Sequence, residues 1–167
     1  RKYGEVDVLT SGTESDLSLG FSQQFSYKGF SFVFGKKGGI HWYKTLTRNN
    51  PLRLLHEISQ VPVTNYDFII NDFEPVTAWA CKLKQVTCIA MSHQYALHHK
   101  VPRPKYAPSI FNWILRNYAP VKRGIGFHFK RYAPNIFYPI IRDSVRKQEI
   151  TSTNTYTRFT SNTSTTT

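Results

Sequence analysis

The stretch from Asp67 to Gln94, DFIINDFEPVTAWACKLKQVTCIAMSHQ, constrains the fold of this chain more than any other. It opens on a short apolar run, Phe68-Ile69-Ile70, and passes through the polar cluster Asn71-Asp72-Phe73-Glu74. Pro75 follows at a position suited to the first turn of a helix, where its fixed φ is helical and its missing N–H costs nothing. Val76, Trp79, Ala80 and Leu83 then recur at helical spacing, and Lys82 and Lys84 place positive charge in the last turn. A second apolar run, Cys88-Ile89-Ala90-Met91, ends in Ser92-His93-Gln94. Strand, helix and strand in so short a span define a minimal βαβ unit. Because both runs are continuous rather than alternating, they predict a parallel sheet covered on both faces.

In open α/β sheets, ligands bind beyond the carboxyl ends of the strands. Asp72, Glu74, Ser92 and His93 fall there and are the first candidates for chemistry. A second reading stands beside that one: Asp72 or Glu74 caps the helix that starts at Pro75 and favours its dipole. His93 has no predicted helix start beside it, so capping does not account for it.

At 167 residues, 40% of them apolar and 15% aromatic, the chain has the length and composition of one globular domain. No run approaches the roughly 18 apolar residues of a membrane span. The two cysteines, Cys81 and Cys88, both lie within apolar patterns, which predicts buried free thiols rather than a disulfide framework. The net charge of +12 is uneven, with +2 over residues 1–95 and +9 over residues 96–149. A basic half of this kind suits phosphate-bearing partners: nucleic acid, anionic lipid head groups or a diphosphate-linked substrate.

Arg1-Lys2-Tyr3-Gly4 reads as the end of a helix, followed at once by a strand from Val6 to Leu9. The expectation is therefore that the rest of that helix, and what came before it, is missing. Ser11 and Gly12 close the strand, either as ligand contacts or as ordinary turn residues. Residues 21–34 are aromatic and β-prone. Gly35-Lys36-Lys37-Gly38-Gly39 lacks the spacing of a Walker loop, and as a basic loop it either touches phosphate or is a solvated turn. Residues 41–60 predict two helical pieces divided at Pro51, the second capped by Asn50.

The loop from Ala96 to Pro108 is basic and carries His98, His99, Lys100, Arg103 and Lys105. No Cys, Asp or third His stands at ligand spacing, so no metal site is assigned. A helix with a wide apolar face is predicted over 108–118, and a strand over 123–129. From Thr151 the composition changes abruptly, with 14 of the last 17 residues Thr, Ser or Asn. Such a segment cannot bury enough to order itself.

The strings NDFEPVTAWACKL and SHQYAL, with FGKKGG upstream and GFHFKRY and PIIRDSV downstream, resemble a family of GT-B glycosyltransferases. That family is distantly similar to the bacterial N-acetylglucosaminyltransferase acting on a lipid-linked peptidoglycan precursor, within the UDP-glycosyltransferase superfamily. The resemblance implies an α/β fold: an incomplete Rossmann-like, mostly parallel sheet, the N-terminal, acceptor-side domain of a GT-B architecture lacking its first βα unit. On this reading residues 1–149 are the partial domain, and 150–167 form an unstructured tail that departs from the family, as a shifted frame or truncation would. The implied activity is hexosyltransferase-like, with a sugar passing from a nucleotide-sugar donor to an acceptor hydroxyl, lipid-linked or soluble.

His93, Asp72 and Glu74 are assigned to catalysis, and Ser11, Gly12, Ser92 and Gln94 to acceptor binding. Lys36, Lys37, Arg103, Lys105, Lys122 and Arg123 are assigned to phosphate or membrane contact. No cofactor is implied beyond the donor, which belongs mainly to a second domain, so the chain alone is expected to be inactive. The expected location is cytoplasmic, either free or peripheral on the inner face of the membrane. The competing reading is a non-enzymatic basic protein that binds nucleic acid or a membrane surface. No recognition helix, zinc spacing or ribonucleoprotein motif supports its nucleic-acid form.

Overall fold

Residues 4–12, 23–35, 39–102 and 109–147 are described by a computed structural model. Two short strands come first, β1 (Val8–Ser11) and β2 (Gln23–Tyr27), paired in parallel with Leu9 opposite Phe25 and Ser11 opposite Tyr27. The helical region splits at Pro51 as its sequence predicts, into α1 (Trp42–Arg48) and α2 (Pro51–Gln60). The Asn50 side chain caps α2 by accepting from the Arg53 N–H at 3.1 Å.

The central unit follows as β3 (Ile69–Asn71), α3 (Pro75–Leu83) and β4 (Cys88–Ser92). A single turn, α4 (His93–Ala96), continues directly from β4. Next come α5 (Ser109–Asn117), β5 (Arg123–Phe127), β6 (Ile136–Phe137) and α6 (Asp143–Arg146).

The fold is mixed α/β, with a four-stranded, wholly parallel sheet in the order β3-β4-β5-β6. Strands near residues 5–10, 67–72, 87–92 and 123–129 are expected from the sequence to share one sheet, and three of the four lie in it. The fourth, β1, pairs with β2 in a separate two-stranded sheet instead. β3 is also not covered on both faces, since Ile69 and Asn71 are buried while Ile70 between them is 53% exposed. The apolar run reads as continuous because a short strand with one open face can still be all apolar. In the same way, the wide apolar face of α5 divides, with Ile114 and Leu115 buried and Trp113 61% exposed.

The main core lies between the helices and the first strands. Ile58 and Val61 from α2 and its exit meet Val76, Ala80 and Cys81 of α3 and Ile69 of β3, with Leu9 and Tyr27 packed against them. Removing these side chains from water is the main favourable term for the domain. A smaller cluster of Ala96, Val101 and Ile136 sits under α4 and β6.

Two glycines set the closeness of that second packing. A Cβ on Gly126 would fall 2.7 Å from the Ala96 nitrogen and 2.8 Å from its Cα, and one on Gly124 would fall 2.6 Å from the Ala90 Cβ. The backbone of β5 therefore touches α4 directly, and no side chain fits between them. Gly126→Ala should force α4 away from β5 and destabilise the protein by about 1–3 kcal/mol. Chemical denaturation measures this, and an unchanged midpoint would contradict the close packing.

Candidate functional site

The carboxyl edge of β3 is built by one buried side chain. Asn71, 2% exposed, donates through Nδ2 to the Glu74 carbonyl at 2.8 Å and accepts at Oδ1 from the Glu74 N–H at 2.9 Å. This pair of hydrogen bonds folds residues 71–74 into a tight loop, and Phe73 takes a left-handed backbone conformation, φ 53°. Such a conformation costs a bulky residue on the order of 1–3 kcal/mol. The Phe73 ring stacks at 5.0 Å on Tyr118, which offsets part of that cost.

Glu74 then caps α3, each carboxylate oxygen accepting one N–H, from Val76 and from Thr77, both at 2.7 Å. Of the two acids that were capping candidates, Glu74 holds the helix and Asp72 does not. With both oxygens engaged by the first turn, Glu74 is a structural cap, and the catalytic role expected for it is not carried further.

The edge of β4 is built the same way. Ser92 is 2% exposed and accepts from the Tyr95 N–H at 3.0 Å. It therefore caps α4 from within the fold. A helix does start beside His93, contrary to the sequence reading, because a single turn of four residues leaves no periodic signal to read. His93 is the first residue of α4 and is exposed, its ring 5.7 Å from that of Phe127. Gln94 follows, half-buried.

Asp72 and His93 thus leave adjacent parallel strands at the same edge. Among the described residues neither side chain makes a hydrogen bond. Asp72 is exposed, but partial desolvation raises its carboxyl above the ordinary aspartate value, and the neighbouring His93 imidazole opposes part of that rise. Two titratable groups in electrostatic contact at a strand-end edge can hold or pass a proton. Among the described residues, no three His, Cys, Asp or Glu stand together as a metal site.

Ser11, at the end of β1, lies beside Gly29, which borders the first turn of α3. A Cβ on Gly29, whose φ is +59°, would lie 2.8 Å from Ser11 Oγ and 3.7 Å from Val76 in the first turn of α3. Gly29 is held by a residue that sequence reasoning missed. Glu57, buried in α2, accepts from the Lys28 and Gly29 N–H groups at 3.1 and 2.9 Å. Arg53 pairs with the same carboxylate at 3.4 Å and donates to the Gly29 carbonyl. The only signal was an Arg and a Glu four apart on a helix, which usually marks a solvated pair.

Tyr118 was missed as well. Its hydroxyl donates to the Phe30 carbonyl at 2.7 Å, and burial, with the charge of Glu74, pushes its pKa up to about 12. It ties the 30–32 segment to the Phe73 loop.

The remaining expected contacts lie elsewhere. Lys122 and Arg123 begin β5 and so stand at the amino edge of the sheet, away from Asp72 and His93. Lys36, Lys37, Arg103, Lys105 and the segment 150–167 fall outside the described residues. Comparison of the chain with models of known families, with curated proteins and with solved structures finds no match.

The raised Asp72 pKa sets the sign of a pH effect. The folded state holds this proton more tightly than the unfolded chain, so stability falls as pH rises from the unfolded value, about 3.9, through the folded one. Asp72→Asn should therefore raise the melting temperature at pH 7, with the gain shrinking to nothing below about pH 4. A gain that is independent of pH, or a loss at pH 7, would contradict the partly desolvated carboxylate.

Proposed function

We propose that this chain is the acceptor-side part of a GT-B sugar transferase that moves a sugar from a nucleotide-sugar donor to a hydroxyl. The observation that carries this reading is the placement of Asp72 and His93 just past the carboxyl ends of the adjacent parallel strands β3 and β4. The resemblance of NDFEPVTAWACKL and SHQYAL to that family's motifs falls on the same two loops. In the proposed reaction the acceptor oxygen attacks the anomeric carbon, the bond from that carbon to the donor phosphate breaks, and a nucleoside diphosphate leaves. The hydroxyl proton is taken up at the edge. His93 receives or orients it, and the Asp72 carboxylate holds the resulting positive charge. Ser11, Gly12 and Gln94 border the acceptor.

The donor belongs to a second domain in this proposal. Tyr138 and Ile140, 64% and 80% exposed after β6, leave apolar surface that a further domain would cover. The exposed Trp113, Ile110 and Phe111 of α5 support a membrane surface as the place where the acceptor is met. Among the described residues no helix is long and apolar enough to cross a membrane.

The test is kinetic. In protein that also carries the donor domain, His93→Ala should lower sugar transfer about 10²-fold or more. Asp72→Asn should lower it less, because it removes a charge partner rather than the proton carrier. Turnover unchanged by His93→Ala would reduce the pair to a structural feature and end this reading.

A further inference from the structure

At the opposite edge of the sheet, the amino ends of β4 and β5 and the carboxyl ends of α3 and α5 surround a cavity of about 870 Å³. Its wall carries Lys82, Arg116, Lys122 and Arg123, with Val86 and Val121 among its apolar members. Among the described residues no carboxylate lines it, and none pairs with any of those four cations. One account of the charge is local: Lys82 and Arg116 sit in the last turns of their helices, where cations offset the dipole. Each helix end supplies only about half a negative charge, so two ends neutralise about one unit of four. Lys122 and Arg123 sit at the start of a strand, where no dipole explains them. About three positive charges remain around a concave, partly apolar space of ligand size.

We infer that this amino-edge cavity binds a ligand bearing two phosphoryl groups, whose roughly three negative charges match the surplus, with its organic part against Val86 and Val121. The Lys82 ammonium is already positioned, 4.3 Å over the Trp79 ring. Arg116, Lys122 and Arg123 supply the donors that close on phosphate oxygens. The site is separate from Asp72 and His93 and does not depend on the reaction proposed for them.

Amide chemical-shift mapping of the whole chain tests this, with inorganic pyrophosphate and ADP as soluble probes. Vesicles of phosphatidylcholine with and without phosphatidic acid, followed by co-sedimentation, form the lipid arm. Saturable shifts are expected at residues 85–88 and 121–123, with none at 72–74 or 93–94. The double variant K122Q/R123Q should weaken pyrophosphate binding about tenfold or more, while K122R/R123K retains it and His93→Ala leaves it unchanged. Both positions are exposed, so the folded state should survive either change. Binding of pyrophosphate together with phosphatidic acid vesicles, both lost in K122Q/R123Q, would support the site and extend it to a lipid head group. Four results would each overturn the proposal: no binding of any probe, binding of phosphatidic acid vesicles alone (whose head group carries a single phosphate), shifts confined to the carboxyl edge, or equal shifts from sulfate at matched ionic strength.

Discussion

Parallel pairing of β3 with β4 is the constraint on which the candidate site depends. Ile69 stands opposite Cys88 and Asn71 opposite Ala90, so the two strands run out at the same edge, β4 two residues beyond β3. Whatever follows them is then adjacent in space although about twenty positions apart in the chain. Parallel neighbours need a crossover, and α3 supplies it within the shortest length that geometry allows. Asp72 and His93 meet for this reason, and not because of any attraction between them.

The polar residues at that edge divide into those that hold the backbone and those left to the surface. Asn71, Glu74 and Ser92 each spend their hydrogen-bonding capacity on the turns beside them. Buried polar groups must be paired in this way, and such pairing keeps the loops rigid. Asp72 and His93 are the residues next to these anchors, and neither has a hydrogen-bonded partner among the described residues. Glu57 does for the 28–29 segment what Asn71 does for the Phe73 loop, and Tyr118 joins the two through Phe30 and Phe73. The edge is therefore surrounded on several sides by fixed backbone.

Much of this was legible in the sequence where a residue acts on its own backbone. Pro75 and Asn50 marked helix starts because their effect is local, and the apolar runs marked β3 and β4 in place. What could not be read depends on distant partners. Asp72 and Glu74 are equally good caps on paper, and only the Asn71 loop decides that Glu74 reaches the N–H groups. Glu57 looked like one half of a surface pair because its partners, the amides at 28 and 29, lie far away in sequence. The alternation of Gly124 and Gly126 with Ile125 and Phe127 described a strand correctly but said nothing of the helix turn pressed against it. β1 was assigned to the main sheet because its pattern is a strand pattern, and a pattern does not name its neighbour.

Two edges of one sheet thus carry different electrostatics. The carboxyl edge places a carboxylate and an imidazole at the ends of adjacent strands, and the amino edge, among the described residues, has cations without acids. The contact at the carboxyl edge is the central claim, and the titration of Asp72 reads it directly. Carboxyl-carbon NMR should place its midpoint above the ordinary aspartate value, about 3.9, in the unmodified chain, and higher still in His93→Ala, where the opposing charge is gone. An Asp72 midpoint that does not move when His93 is removed would contradict the account, because the two groups would then not be neighbours.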